Sequence, residues 1–283
     1  AGFASAMGIS LPLMVASSLI TPSPACNILL DLSSRSGQRP LVAVVVSLYN
    51  YEDCILETLE TVALQTLEGI QLVVVDDAST DLGAARVEGW LVEHQDCFCS
   101  VRLLQHQHNG GLAAARNTGF AAATTAWVWV QDADNPLAPR ALEQSHRLAQ
   151  CVDDQVAVVH PLLLTVPPMA SPQVFQGEGR PWQQSIFAGS NAVDAMALIR
   201  RSAWQEVGGY VHISGGWEDY DFWCSLIDAG WTGVQCPQPL GRYSVHQDSM
   251  TAVTALPNVR GLEHLLKERH PWLTCVGGTT GTR

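Results

Sequence analysis

Between Leu41 and Gln131 four apolar, β-branched runs alternate with three stretches whose apolar residues fall at helical spacing. The runs are "LVAVVVSL" (41–48), "IQLVVVDD" (70–77), "VRLLQ" (101–105) and "AWVWVQ" (126–131). They lack the alternation of a half-exposed strand and suit strands buried on both faces of a parallel sheet. After the first run, Ile55, Leu56, Leu59, Val62 and Ala63 mark a helix face. "LGAARVEGWLVEHQ" and "LAAARNTGFAAAT" supply the next two helices. The alternation predicts an α/β fold, a doubly wound and mainly parallel sheet with right-handed crossovers. Ligands of such sheets gather at the carboxyl ends of the strands. Here those ends read Ser47–Asn50, Asp76-Asp77 and Asp132-Ala133-Asp134.

Past Pro139 the regularity loosens. "RALEQSHRLAQC" predicts a helix and "VAVVHPLLL" a strand. "AVDAMALIRRSAWQEVGGY" reads as a strand and a short helix, and "WEDYDFWCSLIDAGW" as an amphipathic helix stopped by Gly230. Residues 166–190 are rich in Gly, Pro, Gln and Ser. Three parts are expected: a Ser/Ala/Pro-rich extension or linker over 1–40, a domain over 41–255, and a tail over 256–283. Within the domain, 41–135 is the regular half and 136–255 the looser half that shapes a cleft. "ACNILLDL" in the extension suits a short helix or a strand.

Composition narrows the classes. The chain has 283 residues, 47% of them hydrophobic, enough for one large α/β domain. A net charge of -12 argues against a nucleic-acid binder, which needs a basic face. The longest apolar stretch, Ile9–Ile20, contains Pro12 and falls short of the roughly 18–20 residues of a membrane span. Eight scattered cysteines form no CxxC pair and read as small buried residues in a reducing compartment, so the expected location is cytoplasmic, with membrane association only through a partner or a further segment. The chain opens on Ala and reads as a processed product or a piece of a longer polypeptide.

Four clusters carry candidate chemistry. Asp132 and Asp134, at the tip of a buried strand, can reach one hard cation such as Mg2+ or Mn2+, or can form an Asp-rich turn before Pro136. Asp76 and Asp77 end a second strand, where a carboxylate can accept from a nucleobase or ribose, while Ser79–Asp81 can cap the next helix. Asn109-Gly110-Gly111 precedes a helix whose N–H groups favour anions, and Arg116 within that helix can pair with phosphate or with the strand-end aspartates. Glu218 and Asp219 open a helix, where acidic residues also complement the dipole; Trp217 beside them offers a ring face for a sugar. His106, His108 and His246 read as packing or surface residues.

In order, "VVVSLYN", "VVVDDASTD", "NGGLAAARNTG", "VQDADN", "GGWEDYDFW" and "RYSVHQDSM" resemble the family 2 nucleotide-sugar glycosyltransferases of the GT-A fold, over about Leu41 to Met250. The resemblance implies an inverting, metal-dependent transfer of a sugar, UDP-linked by default, to a hydroxyl of a glycan, lipid-linked or other acceptor, as in polysaccharide biosynthesis. It places Ser47, Asn50, Asp77, Gly111, Arg116 and Asp132 around the nucleotide sugar, with Asp77 on the base. It makes Asp134 the direct ligand of Mn2+ or Mg2+, with Asp132 near the ribose and metal waters and His246 in the same shell. Asp219, with Glu218 beside it, is the implied catalytic base, and Trp217 the implied acceptor contact. Many relatives read D-A-D-D where this chain has Asn135. A silent binding module of the same fold and a sugar-phosphate nucleotidyltransferase are the alternatives. The first predicts loss of Asp134 or Asp219. The second predicts a Gly-rich basic loop where "SLYNYEDCILE" stands.

Overall fold

The β-branched runs become the centre of one sheet. In the computed structural model, which describes residues 23–33, 37–166, 173–175, 182–191, 193–244 and 256–274, β2 (Val42–Leu48) pairs in parallel with β3 (Ile70–Asp76) on one side and β5 (Trp127–Asp132) on the other. β3 pairs in parallel with β4 (Ser100–His106). Helices α1 (Ile55–Ala63), α2 (Gly83–His94) and α3 (Leu112–Ala122) make the crossovers. Alternate strand residues face opposite layers, as the pleat requires. Val42, Val44, Val46 and Leu72 pack with Leu59, Val62, Val87 and Leu91 of α1 and α2. Ala43, Val45, Val73 and Val130 pack with Ala113, Ala115 and Phe120 of α3. Helices therefore cover both faces, the doubly wound arrangement that the pattern predicted.

The second half joins this parallel block through antiparallel ladders. After α4 (Ala141–Ala149) come β6 (Val156–Val166), β7 (Gln173–Phe175), α5 (Gln184–Phe187), β8 (Leu198–Arg200), α6 (Arg201–Glu206), α7 (Glu218–Asp228), β9 (Thr232–Ser244) and α8 (Leu256–Arg269). β8 pairs antiparallel with both β5 and β6, and β9 runs parallel to β6. The strand path is β1-β4-β3-β2-β5-β8-β6-β7, with β9 beside β6.

Both expected boundaries need correction. The "ACNILLDL" segment takes the strand form of its two readings as β1 (Cys26–Ser33), an antiparallel edge strand on β4, so the sheet begins before residue 41. The tail beyond 255 contains α8, whose Leu262 and Leu266 enter the core with Leu273. β1 was concealed by the Ser/Ala/Pro-rich stretch around it, and α8 by its polar composition, since it buries only one face. Among the described residues no helix is long and apolar enough to cross a membrane, and seven cysteines are free thiols.

Candidate active site

The site is built from the strand ends outward. Asp132 closes β5, and Ser47 stands opposite it at the end of β2. Arg116 reaches this edge from α3, its Nη2 3.1 Å from Asp132 Oδ1. Arg116 is only 3% exposed. Burial works against its charge, but Asp132, with help from Tyr210, Asp219 and Glu218, outweighs burial and holds the guanidinium above its ordinary range. Tyr210 lies beneath it, ring centroid 5.4 Å from the guanidinium carbon. The Asn117 amide pins Tyr210: it donates to the Tyr210 carbonyl and accepts the Tyr210 N–H, each at 2.8 Å. Arg116 Nε and the Tyr210 hydroxyl are buried without a hydrogen-bond partner.

Glu218 and Asp219 arrive on the first turn of α7. Three successive positive φ values, at Gly215, Gly216 and Trp217, turn the chain into that helix. Glycine takes this backbone freely, whereas Trp217 is strained there. Asp219 Oδ2 accepts from Asn191 Nδ2 at 2.7 Å. Burial pushes the Asp219 carboxyl above the usual carboxylate range, against the pull of Arg116 and the Asn191 bond. Burial likewise raises Glu218, which is 4% exposed. Trp217 is half-buried and tilted against Tyr220, with ring centroids 5.7 Å apart.

Two residues of this cluster were not foreseen, Asn191 and Asp194. Asp194 accepts from the Met196 N–H at 2.8 Å. Burial, reinforced by the charge of Asp132, pushes its carboxyl up to about 8. The available signal was a carboxylate inside an apolar run, "AVDAMALI", where an Asp is rarely buried without a purpose.

Asp77 has an anchoring role. It is 3% exposed, and its oxygens accept from Gly110 N and Gly111 N, each at 2.8 Å, while Oδ1 meets His106 Nδ1 at 2.6 Å. His106 Nε2 in turn meets Thr118 Oγ1 at 2.8 Å. The carboxylate therefore anchors the Asn109–Gly111 loop to the sheet, and the Gly111 N–H points to Asp77 rather than to a ligand. Oδ2 takes only one of these bonds, so the base contact expected of Asp77 and the nucleotide-sugar contact expected of Gly111 are compatible with this anchoring role. Asp76 is also committed, to Ser79 N and Gln105 Nε2. Asn50, in the left-handed region at φ 59, accepts from Thr80 N at 2.8 Å and joins the two strand-end loops. His108 is exposed.

Asp134 lies toward the start of α1. After burial, its charge is the largest influence raising the Tyr51 hydroxyl and the Cys54 thiol, the latter to about 11. Its carbonyl accepts from Ser244 Oγ at 3.0 Å, and Asn135 Oδ1 accepts from Ser244 N at 2.8 Å. Asn135 thus ties the Asp132–Asn135 turn to the end of β9. His246 lies outside the described residues. Among the described residues, no group of three or more His, Cys, Asp or Glu side chains could hold a metal ion.

The model of the family "Glycosyl transferase family 2" matches residues 43–167. A putative glycosyltransferase, EpsE of Bacillus subtilis (strain 168), is 28% identical over 222 residues, 74% of each chain. The pre-mycofactocin glycosyltransferase of Mycobacterium tuberculosis is 32% identical over 176 residues, 58% of this chain but 35% of its own. The S. aureus TarS 1-349 structure with UDP-GlcNAc superposes with a TM-score of 0.64 at 18% identity, covering 81% of this chain and 66% of its own. The mannosyltransferase PcManGT from Pyrobaculum calidifontis, with GDP-Man and Mn2+, gives 0.60 at 21%, covering 83% and 64%.

Proposed function

The chain belongs to glycosyl transferase family 2, has the GT-A fold and is a nucleotide-sugar glycosyltransferase; on that premise we propose that it transfers a sugar from a UDP-sugar to an acceptor hydroxyl, with inversion and with a divalent cation. The observation that carries this reading is the reach of Arg116, which bonds Asp132 and feels the charges of Asp219 and Glu218. One buried cation thereby links the donor edge of the sheet to the candidate base.

The donor set suits a hard cation. Asp132 and Asp134 offer carboxylate oxygens only, and Mg2+ or Mn2+ at such sites takes one or two carboxylates together with substrate phosphates and water. When bound, the cation offsets the negative charge that develops on the leaving diphosphate.

The other steps belong to the chain's own residues. Arg116 fixes the orientation of Asp132. Asn191 holds Asp219 through Oδ2, and the carboxylate accepts the proton of the acceptor hydroxyl. Burial raises the basicity of Asp219, the direction that favours a general base. The hydroxyl attacks the anomeric carbon opposite the leaving diphosphate, so one displacement inverts it and needs no protein nucleophile. Asp77 contributes by anchoring the Gly110-Gly111 loop. Trp217, half-buried at the mouth of α7, is positioned to pack against the acceptor. The acceptor class that fits this reading is a glycan or lipid-linked glycan hydroxyl.

The test is thermal unfolding with UDP, GDP or dTDP, each with and without Mn2+. A ligand that binds only the folded chain raises its stability by mass action. The expected result is stabilisation by UDP only when Mn2+ is present. Stabilisation by GDP alone overturns the UDP assignment, and a Mn2+-independent shift overturns the metal role.

A further inference from the structure

Helix α7 is held from the far end of the chain, beyond residues 43–167. Asp221, two residues past the candidate base, is 1% exposed. Arg269 Nε donates to its Oδ1, and Arg269 Nη2 donates to its Oδ2 at 3.0 Å. His270 Nε2 lies 3.0 Å from the same Oδ1, while His270 Nδ1 lies 2.6 Å from Oδ2 of Asp228. Trp272 Nε1 donates to Asp228 Oδ1 at 2.7 Å.

A neutral imidazole carries a single N–H. With a carboxylate at each ring nitrogen, the neutral form would aim a lone pair at one of them, so this geometry requires the imidazolium. The titratable groups that face the ring are Asp221 and Asp228, with the Cys224 thiol beside them on α7 and Arg269 preceding it in sequence. Burial opposes the charge on His270, but its bonds to both carboxylates prevail and raise it above the ordinary histidine value. Burial and then the charges of Asp221 and Asp228 push Cys224 up, so it stays a thiol.

Asp221 also closes the first turn of α7, its N–H donating to the Trp217 carbonyl at 3.0 Å. That turn contains Glu218 and Asp219.

We propose that His270 is a positioning residue for the reaction: as an imidazolium bridging Asp221 and Asp228, it clamps α7 to the C-terminal segment and fixes the Asp219 carboxylate against Asn191. The functional meaning rests on the reading of Asp219 as the base; the clamp itself does not. The clamp is complete below the unfolded histidine value of about 6.5 and is released as pH rises through the higher folded value.

The test uses the full chain with 13C-labelled aspartate, the Asp219 carboxyl resonance being assigned by its absence in Asp219→Asn. In the wild type, that resonance is expected to show an alkaline inflection that coincides with the titration of the His270 ring. Amide-exchange protection of residues 218–222, corrected for intrinsic rate, is expected to fall about tenfold over the same interval, a local opening rather than global unfolding. In His270→Gln, which can bridge but cannot titrate, both changes are expected to vanish. Asp228→Asn, a second variant on an exposed partner, is expected to move the inflection to lower pH. A flat Asp219 resonance in the wild type, or the same inflection in His270→Gln, overturns the proposal. Asp219→Asn that retains activity would sink the base assignment and leave these titrations standing.

Discussion

Replacing Gly119 by alanine tests what sets the distance between α3 and the sheet. A Cβ built at Gly119 would lie 2.2 Å from Val45 Cγ1 and 3.1 Å from Cγ2. Val45 cannot yield easily: it is fully buried in β2, with Val73 and Val130 on its two flanks. Overpacking of this kind costs about 1–3 kcal/mol, occasionally more, and a contact this short belongs at the upper end. Alanine returns about 1 kcal/mol through helix propensity. The expected net loss is about 2 kcal/mol, read as a lower urea midpoint at unchanged slope by tryptophan fluorescence. Val45→Ala alone leaves a cavity and costs about 2–3 kcal/mol. The double variant lets the new methyl fill that cavity, so its loss is expected to be smaller than the sum by about 1 kcal/mol or more. Arg116 sits one turn before Gly119, so a displaced helix also moves its guanidinium from Asp132, and the single variant is expected to weaken nucleotide binding. A Gly119→Ala chain as stable as the wild type, or strictly additive losses in the cycle, would refute the idea that this glycine fixes the spacing.

Asp77→Asn keeps one acceptor but turns a donor toward either the Gly110 or the Gly111 N–H, and is expected to cost about 2–3 kcal/mol in urea unfolding and to weaken nucleotide binding; a variant that loses binding at full stability would assign Asp77 to the base contact alone. Asp219→Asn is expected to lower kcat by about 10²–10⁴ while nucleotide titrations stay unchanged. Because burial raises Asp219, its charge works against the fold as pH climbs through that raised value, so the same variant is expected to melt higher than the wild type near pH 8. A lower melting temperature there would contradict the sign.

The first half of the fold was legible because strands buried on both faces write uninterrupted β-branched runs, and Val42–Leu48 and Ile70–Asp76 are of that kind. The clustering of Arg116 with Asp132 was legible for the same reason, since strand ends and the following helices keep a fixed relation. The anchoring role of Asp77 was not legible, because sequence shows that a carboxylate ends a strand but not that three partners close around it. Asn191 and Asp194 were missed because they precede a three-residue strand, too short to print a period. The Asp221–Arg269–His270 cluster joins residues 48 and 49 positions apart, a separation at which no local pattern survives.

The antiparallel edge strand has a consequence for the order of assembly on the ribosome. β1 is synthesised before its partner, Ser100–His106, by about seventy residues. Through that interval Ile28, 64% exposed even in the folded chain, and its apolar neighbours have no strand to join. The parallel block can form in chain order, and β1 then seals its outer margin. A truncation that begins at Leu41 would leave the outer side of β4 unpaired, open to another chain, and would fail by self-association rather than by loss of the site.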